Sequence, residues 1–294
     1  MNWISPSLEH LAGQPIGGYI PEQSAASEPT ALTALALAGS SLHEPAKTAA
    51  RWLAEMQSEE GSVSVRPDVP KPRWPTALAV IAWQVVADTP NPFQQHIQKA
   101  LDWSLALFGA KMKPNANVGH HTMLSAWPWV EGTHSWIEPT AFQVLALKAS
   151  AMGSHPRARE AVRLLIDRQL PDGGCNYGNK VVLGQTLRPH VQPTGIALLA
   201  LAGEEDTDGA IERSFVYLER KLSKETTIPS LCWGLMGLAA HDRRPTDADQ
   251  WLRTAVARTQ HRRLAPIEDA LLVLASLGEQ CPLLTSASPS IAST

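Results

Sequence analysis

The stretch Pro139-Thr140-Ala141-Phe142-Gln143-Val144-Leu145-Ala146-Leu147-Lys148-Ala149 decides the reading of this chain, because it recurs. The unit is Pro, a small or hydroxyl residue, then an Ala/Leu-rich apolar run. It returns at Pro29 (PTALTALALAG), Pro75 (PTALAVIAWQ), Pro193 (PTGIALLALAG) and Pro229 (PSLCWGLMGLA), with a weaker sixth copy at Pro266 (PIEDALLVLASLG). Pro is pre-organised for the first helical position, and Ala and Leu are strong helix formers. Gly39, Gly203 and Gly278 fall where a helix C-cap is expected. Six helices that are apolar nearly all round must be buried on both sides.

A more polar helix follows each of the first five copies, over 44–57, 92–107, 156–169, 208–222 and 246–260. Their apolar residues recur three and four apart with charges between, which is one-sided amphipathicity. A helix over 5–12 supplies a sixth outer partner. The expectation is an all-α α/α toroid over residues 1–281: six inner helices, about six outer ones, and an axial cavity. The uncharged, Ser-rich stretch 282–294 reads as a disordered tail. Only the outer-to-inner connections are long: 58–74, 108–136 and 170–192, against 223–228 and 261–265. They all fall at the end that carries the inner-helix N-termini. Aromatic-rich loops of this length in a compact domain point to function.

Composition narrows the classes. The chain has 294 residues, 25 basic and 28 acidic, a net charge of −3, 44% hydrophobic and 18% charged residues. This balance excludes a disordered chain and lacks the clustered positive charge of a nucleic-acid binder. Ten Trp stand against four Phe and three Tyr, a bias that suits apolar sites with a wet edge. The sparse set Cys175, Cys232 and Cys281 offers no disulfide framework. No signal-peptide pattern and no apolar run of spanning length is read. A cytoplasmic location without an integral membrane segment is the expectation. Nothing in the sequence sets the oligomeric state.

Two outer-helix endings carry a family resemblance. They are Arg51-Trp52-Leu53…Gln57…Gly61 and Leu164-Leu165…Gln169…Asp172-Gly173-Gly174. Both resemble the Gln–Trp repeat of the prenyltransferase/squalene-cyclase superfamily, with Val63 and Cys175 near where its terminal Trp would fall. The resemblance spans roughly residues 28–278. It implies an α/α toroid around an apolar, Trp-lined cavity and an isoprenoid- or terpenoid-processing enzyme. Its partner would be a hydrophobic small molecule, a prenyl diphosphate or a terpenoid. The Asp-x-Asp-Asp acid of class II terpene cyclases is absent. Asp206, Asp208, Asp247 and Asp249 lie on inner-to-outer turns and read as helix caps. The zinc set of protein prenyltransferases is absent too: Ser230, not Asp, stands two residues before Cys232. No metal or cofactor is expected.

The candidate acids are Glu268 and Asp269, adjacent in the first turn of the sixth inner helix, where mutual repulsion would raise one pKa if either faced the axis. Glu138 precedes Pro139 as Glu28 precedes Pro29, with Gln192 at the matching place before Pro193. At a helix N-terminus the dipole favours the ionised carboxylate, so capping is the expected role of Glu28 and Glu138 and a lowered pKa the expected direction. Glu138 remains a catalytic candidate. Candidate substrate contacts are Trp74, Trp127, Trp129, Glu131, His134, Trp136, Asn176, Tyr177, Arg188, His190 and Trp233. The basic residues Lys71, Arg73, Lys111, Lys113, Lys180 and Arg188 could meet a diphosphate at the mouth. The alternatives are a non-catalytic isoprenoid- or lipid-binding toroid, an interaction scaffold with a filled centre, and a carbohydrate-active toroid with Trp platforms and a carboxylate pair across an open cleft, for which Glu131 and Glu138 are the candidates.

Overall fold

The computed structural model describes residues 3–114 and 118–287. The inner helices are α2 (Ser27–Gly39), α4 (Thr76–Val86), α6 (Ile137–Ala149), α8 (Val191–Ala200), α10 (Ile228–Ala239) and α12 (Pro266–Ser276). The outer helices are α1 (Ser5–Gly13), α3 (His43–Glu55), α5 (Gln94–Ala106), α7 (Pro156–Asp167), α9 (Ala210–Lys221) and α11 (Ala248–Arg258). Each inner helix packs on the next, and α12 packs back on α2, so the inner ring closes. The fold is the α/α toroid. A two-residue hairpin, β1 (Val181–Val182) with β2 (Gln185–Thr186), decorates the loop before α8.

Three inner helices begin two residues earlier than the Pro rule places them, and α10 begins one residue earlier. In α2, α6 and α8 the prolines Pro29, Pro139 and Pro193 are the third helical residue. The first four N–H groups of a helix have no internal partner, so Pro is harmless there as well. This shift brings Glu28, Glu138 and Gln192 inside the first turn.

The following threonine explains why the unit repeats. Thr30, Thr76, Thr140 and Thr194 are fully buried. Each hydroxyl accepts from a loop N–H: Gly17 at 3.3 Å, Val63 at 2.8 Å, Trp127 at 3.3 Å and Cys175 at 3.0 Å. Each loop is thereby pinned to the helix that follows it. Gln57 and Gln169 tie outer helices together. The carboxamide of Gln57 bonds the carbonyl and ring of His96 on α5, and Gln169 accepts from Ser214 on α9 at 2.6 Å. Gly61 and Gly173 sit at positive φ against α5 and α9, where a Cβ would collide with the Lys99 and Arg213 carbonyls.

The chain beyond 281 is not all tail. After a 3₁₀ turn (Gly278–Gln280), α13 (Pro282–Ala287) packs against α2, α4, α6 and α8. Since α6 stands opposite α12 in the ring, α13 crosses the axis. Leu283 is fully buried. Pro282 lies where a Cβ on Gly39 would strike it, so Gly39 is small to admit this segment rather than to cap α2. The left-handed residue after α2 is Ser41. Disorder as an expectation therefore fails for 282–287, and 288–294 lie outside the described residues.

Candidate active site at the toroid mouth

The second residue of five inner helices forms one layer at the N-terminal end of the ring: Glu28, Glu138, Gln192, Pro229 and Ile267. Trp74 takes the sixth place, two residues before Thr76 as Glu28 is before Thr30. All except Glu138 keep partial exposure, and Glu138 is 6% exposed. One helical turn deeper, at i+4, lie Leu32, Leu78, Phe142, Ile196, Trp233 and Leu271, every one buried. Phe142 and Trp233 touch with ring centroids 5.6 Å apart. Their helices are separated by α8 in the ring, so the two rings meet inside it, in front of α8. The mouth thus sets carboxyl, amide and indole groups above a layer of buried apolar side chains. At the far end α13 lies across the ring, against α2, α4, α6 and α8.

The two mouth carboxyls behave against the dipole argument. Burial pushes both Glu28 and Glu138 up to about 7. Helix-end N–H groups favour the charge, but removing a carboxylate from water costs more here. Glu138 accepts from Gln192 Nε2 at 3.1 Å, which offsets part of the rise. Tyr19 donates to Glu28, and the charge of Glu138 adds to the upward push on Glu28. Two neighbouring carboxyls of this kind resist ionising together.

Aromatic groups flank the pair. Trp74 stacks on Phe142 at 6.1 Å and meets Trp129 edge-to-face at 4.6 Å. Both indoles are half-buried. Trp136 is the N-cap residue of α6 and lies 4.3 Å from the His134 ring. Tyr177 and His190 form an exposed pair at 5.1 Å.

Several candidates take other roles. Glu268 and Asp269 do not face the axis. Glu268 is held by Arg262 in two bonds of 2.6 and 2.7 Å and caps the Ala265 N–H at 3.0 Å, which keeps its carboxyl below the usual range despite partial burial. Asp269 is 3% exposed and accepts from His10 on α1 at 2.6 Å, with its pKa raised by burial; it latches α1 to α12. Trp127 is no mouth residue. It is 1% exposed, its indole donates to the Ser104 carbonyl on α5 at 2.8 Å, and Arg157 lies over its ring at 4.5 Å. It occupies the place of Val63 and Cys175 in the threonine bracket. Trp233 belongs to the buried apolar layer. Glu131 pairs with Lys71 at 3.0 Å on the rim. Asn176 shapes its own loop, donating to the Arg188 carbonyl and accepting from the Tyr177 N–H, both at 2.8 Å. Arg188 is exposed on the rim. Among the described residues no group of three or more His, Cys, Asp or Glu could hold a metal ion.

The sequence reading assigned Glu28 to capping and passed over Tyr19, Phe142 and Arg168. The pairing of Glu28 with Glu138 before Pro was a legible signal. The Phe in the quoted repeat was another, since four Leu or Ile and one Trp occupy its equivalents.

No family model and no curated protein matches the chain. Solved structures do. A novel alpha-amylase from Clostridium perfringens superposes with a TM-score of 0.63 at 10% identity, covering 94% of this chain and 97% of that one. A type II terpene cyclase from Scytonema, in complex with geranylgeranyl dihydroxybenzoate, gives 0.59 at 13%, covering 96% and 98%. A GH8 xylobiose complex from Teredinibacter turnerae gives 0.56 at 10%, covering 98% and 94%. At these identities the likeness shows the toroid fold alone. Terpene cyclases and carbohydrate-active enzymes share it. No helix of the described residues is long and apolar enough to cross a membrane.

Proposed function

We propose that the mouth is the active site of a carbohydrate-active toroid that cleaves glycosidic bonds. The observation that carries this reading is the carboxyl pair Glu28 and Glu138, both near neutral in pKa, set beside half-buried Trp74 and Trp129 above a layer of buried apolar residues. General acid catalysis works best when the pKa lies near the operating pH. Glu138, the more deeply buried, stays protonated and donates to the departing glycosidic oxygen. Glu28, more open and bonded by Tyr19, is the ionised partner that activates water or attacks the sugar carbon. Indole faces are platforms for sugar rings. An acid this weak is poorly suited to protonating an alkene.

The second reading is isoprenoid processing. It is favoured by the continuous aromatic series Trp129, Trp74, Phe142 and Trp233, whose π faces would stabilise a carbocation. The test is reducing-sugar release from starch, xylan and acidic polysaccharides, with squalene and geranylgeranyl diphosphate in parallel arms analysed by mass spectrometry. Glycosidic cleavage that falls by about 100-fold or more in Glu138→Gln and in Glu28→Gln supports the proposal. Isoprenoid turnover with no sugar release moves the assignment to the second reading. Sugar release untouched by both substitutions refutes the assigned residues.

A further inference from the structure

Beside Trp136, among the loop residues 118–136 and 170–190, a cationic node is left with unused hydrogen-bonding capacity. Arg168, the C-cap residue of α7, is 4% exposed. Its Nη1 donates to the Gly178 carbonyl at 2.7 Å. Its Nε lies 3.3 Å from Asp167 Oδ2 but makes no hydrogen bond. Asp167 is meanwhile shared: its carboxylate accepts from the His121 N–H at 3.1 and 3.3 Å, and its carbonyl accepts from Lys180 Nζ at 3.0 Å. Two imidazoles lie close by, His120 next to the His121 N–H that bonds Asp167 and His134 against Trp136, which Gly178 touches; each has one buried ring nitrogen with no partner, Nδ1 of His120 and Nε2 of His134. The charge of Arg168 lowers the pKa of both, after burial, and His120 falls to about 4. The charged groups facing these rings are Asp167, Arg168 and Lys180.

A buried guanidinium whose Nε has no hydrogen-bond partner is costly unless something uses it. One carboxylate cannot serve Arg168, Lys180 and a backbone N–H together, so the node keeps an excess of positive charge. A cation is disfavoured there. We infer that the node built from Arg168, Lys180, His120 and His134 is an oxyanion site, which takes a carboxylate or phosphate group of a ligand lying across Trp136. His134 stacks on Trp136 and Gly178 backs it, so an anion here sits next to the mouth. Under the glycosidase reading, on which only the ligand's identity rests, the substrate is an acidic saccharide: a uronic acid or a sugar phosphate.

The test uses the full chain labelled with ¹⁵N-histidine, titrated with inorganic phosphate and separately with glucuronate. Saturable shifts of the His120 and His134 ring nitrogens, with both rings titrating at higher pH when the anion is bound, are the expected result. Arg168→Gln weakens binding by at least about tenfold, since charge-assisted guanidinium bonds are the strong ones. His134→Gln, at a half-buried position, gives an independent check if Arg168→Gln fails to fold, and it too weakens binding. Shifts with phosphate alone assign a phosphate group, and shifts with glucuronate alone assign a carboxylate. Undisturbed ring nitrogens with both anions, or affinity unchanged in His134→Gln, overturn the site. Because the readout is binding, it stands or falls separately from the hydrolysis assay.

Discussion

Replacing Glu138 by Gln should stabilise the protein at alkaline pH while destroying its activity. In the fold the carboxyl titrates at about 7, against 4.5 for the ordinary group. Between those values the native state holds a proton that the unfolded chain has released. Its contribution is therefore greatest below pH 4.5 and is lost as pH rises through 7. At about 1.4 kcal/mol per pH unit, the full loss is about 3 kcal/mol. Glu28 acts in the same direction, for the same reason. Gln is close to the protonated carboxyl in shape and can still accept from Gln192. Urea titrations of both proteins at pH 4, 6 and 8 measure the difference. The variant should equal the parent at pH 4 and exceed it by up to about 3 kcal/mol at pH 8. A variant that is less stable at pH 8, or a difference that does not change with pH, would refute the claim that burial dominates at this carboxyl.

Other outcomes follow from the packing. Thr140→Val leaves the Trp127 N–H without its acceptor, while the Trp127 carbonyl keeps the Trp136 N–H; chemical denaturation should register a loss of about 1–3 kcal/mol. Leu283→Ala opens a cavity where α13 crosses the axis and should cost about 3–5 kcal/mol, with a small cost pointing to a segment that does not stopper the ring. Glu268→Ala removes a bond to the first turn of α12 and should cost about 1 kcal/mol, with kcat unchanged because the residue faces away from the mouth.

The ring could be read from the sequence because its cause is local and repeated. A Pro followed by an Ala/Leu run can only start a buried helix, and the amphipathic segments between can only cover it. Helix phase was not legible. Whether Asp269 points to the axis or to α1 depends on rotations of a few tens of degrees, fixed by where the helix begins, and the prolines marked that point two residues late in three helices. Trp127 and Trp129 differ by two positions, yet one is sealed against α5 and the other opens at the mouth, because the Thr140 bracket orients the loop between them. The sign of the Glu138 shift turned on a balance between dipole and desolvation that needs the depth of the site. Residues 282–287 read as disordered because they lack charge and periodicity, and what orders them is the space left by Gly39 and the ring's open end.

The contact of α12 with α2 has a consequence for how the chain assembles. These helices are the last and first of the ring, so their docking waits until the chain has been synthesised through α12. Up to that moment the nascent molecule is an open arc with two apolar edges, each a target for the other or for a second chain. Joining the edges between molecules instead of within one would give a domain-swapped dimer. The same topology makes the choice of ends arbitrary. A circular permutant cut in the exposed turn between α8 and α9, with the two original ends bridged by a flexible linker, keeps every helix–helix neighbour and should fold to the same ring.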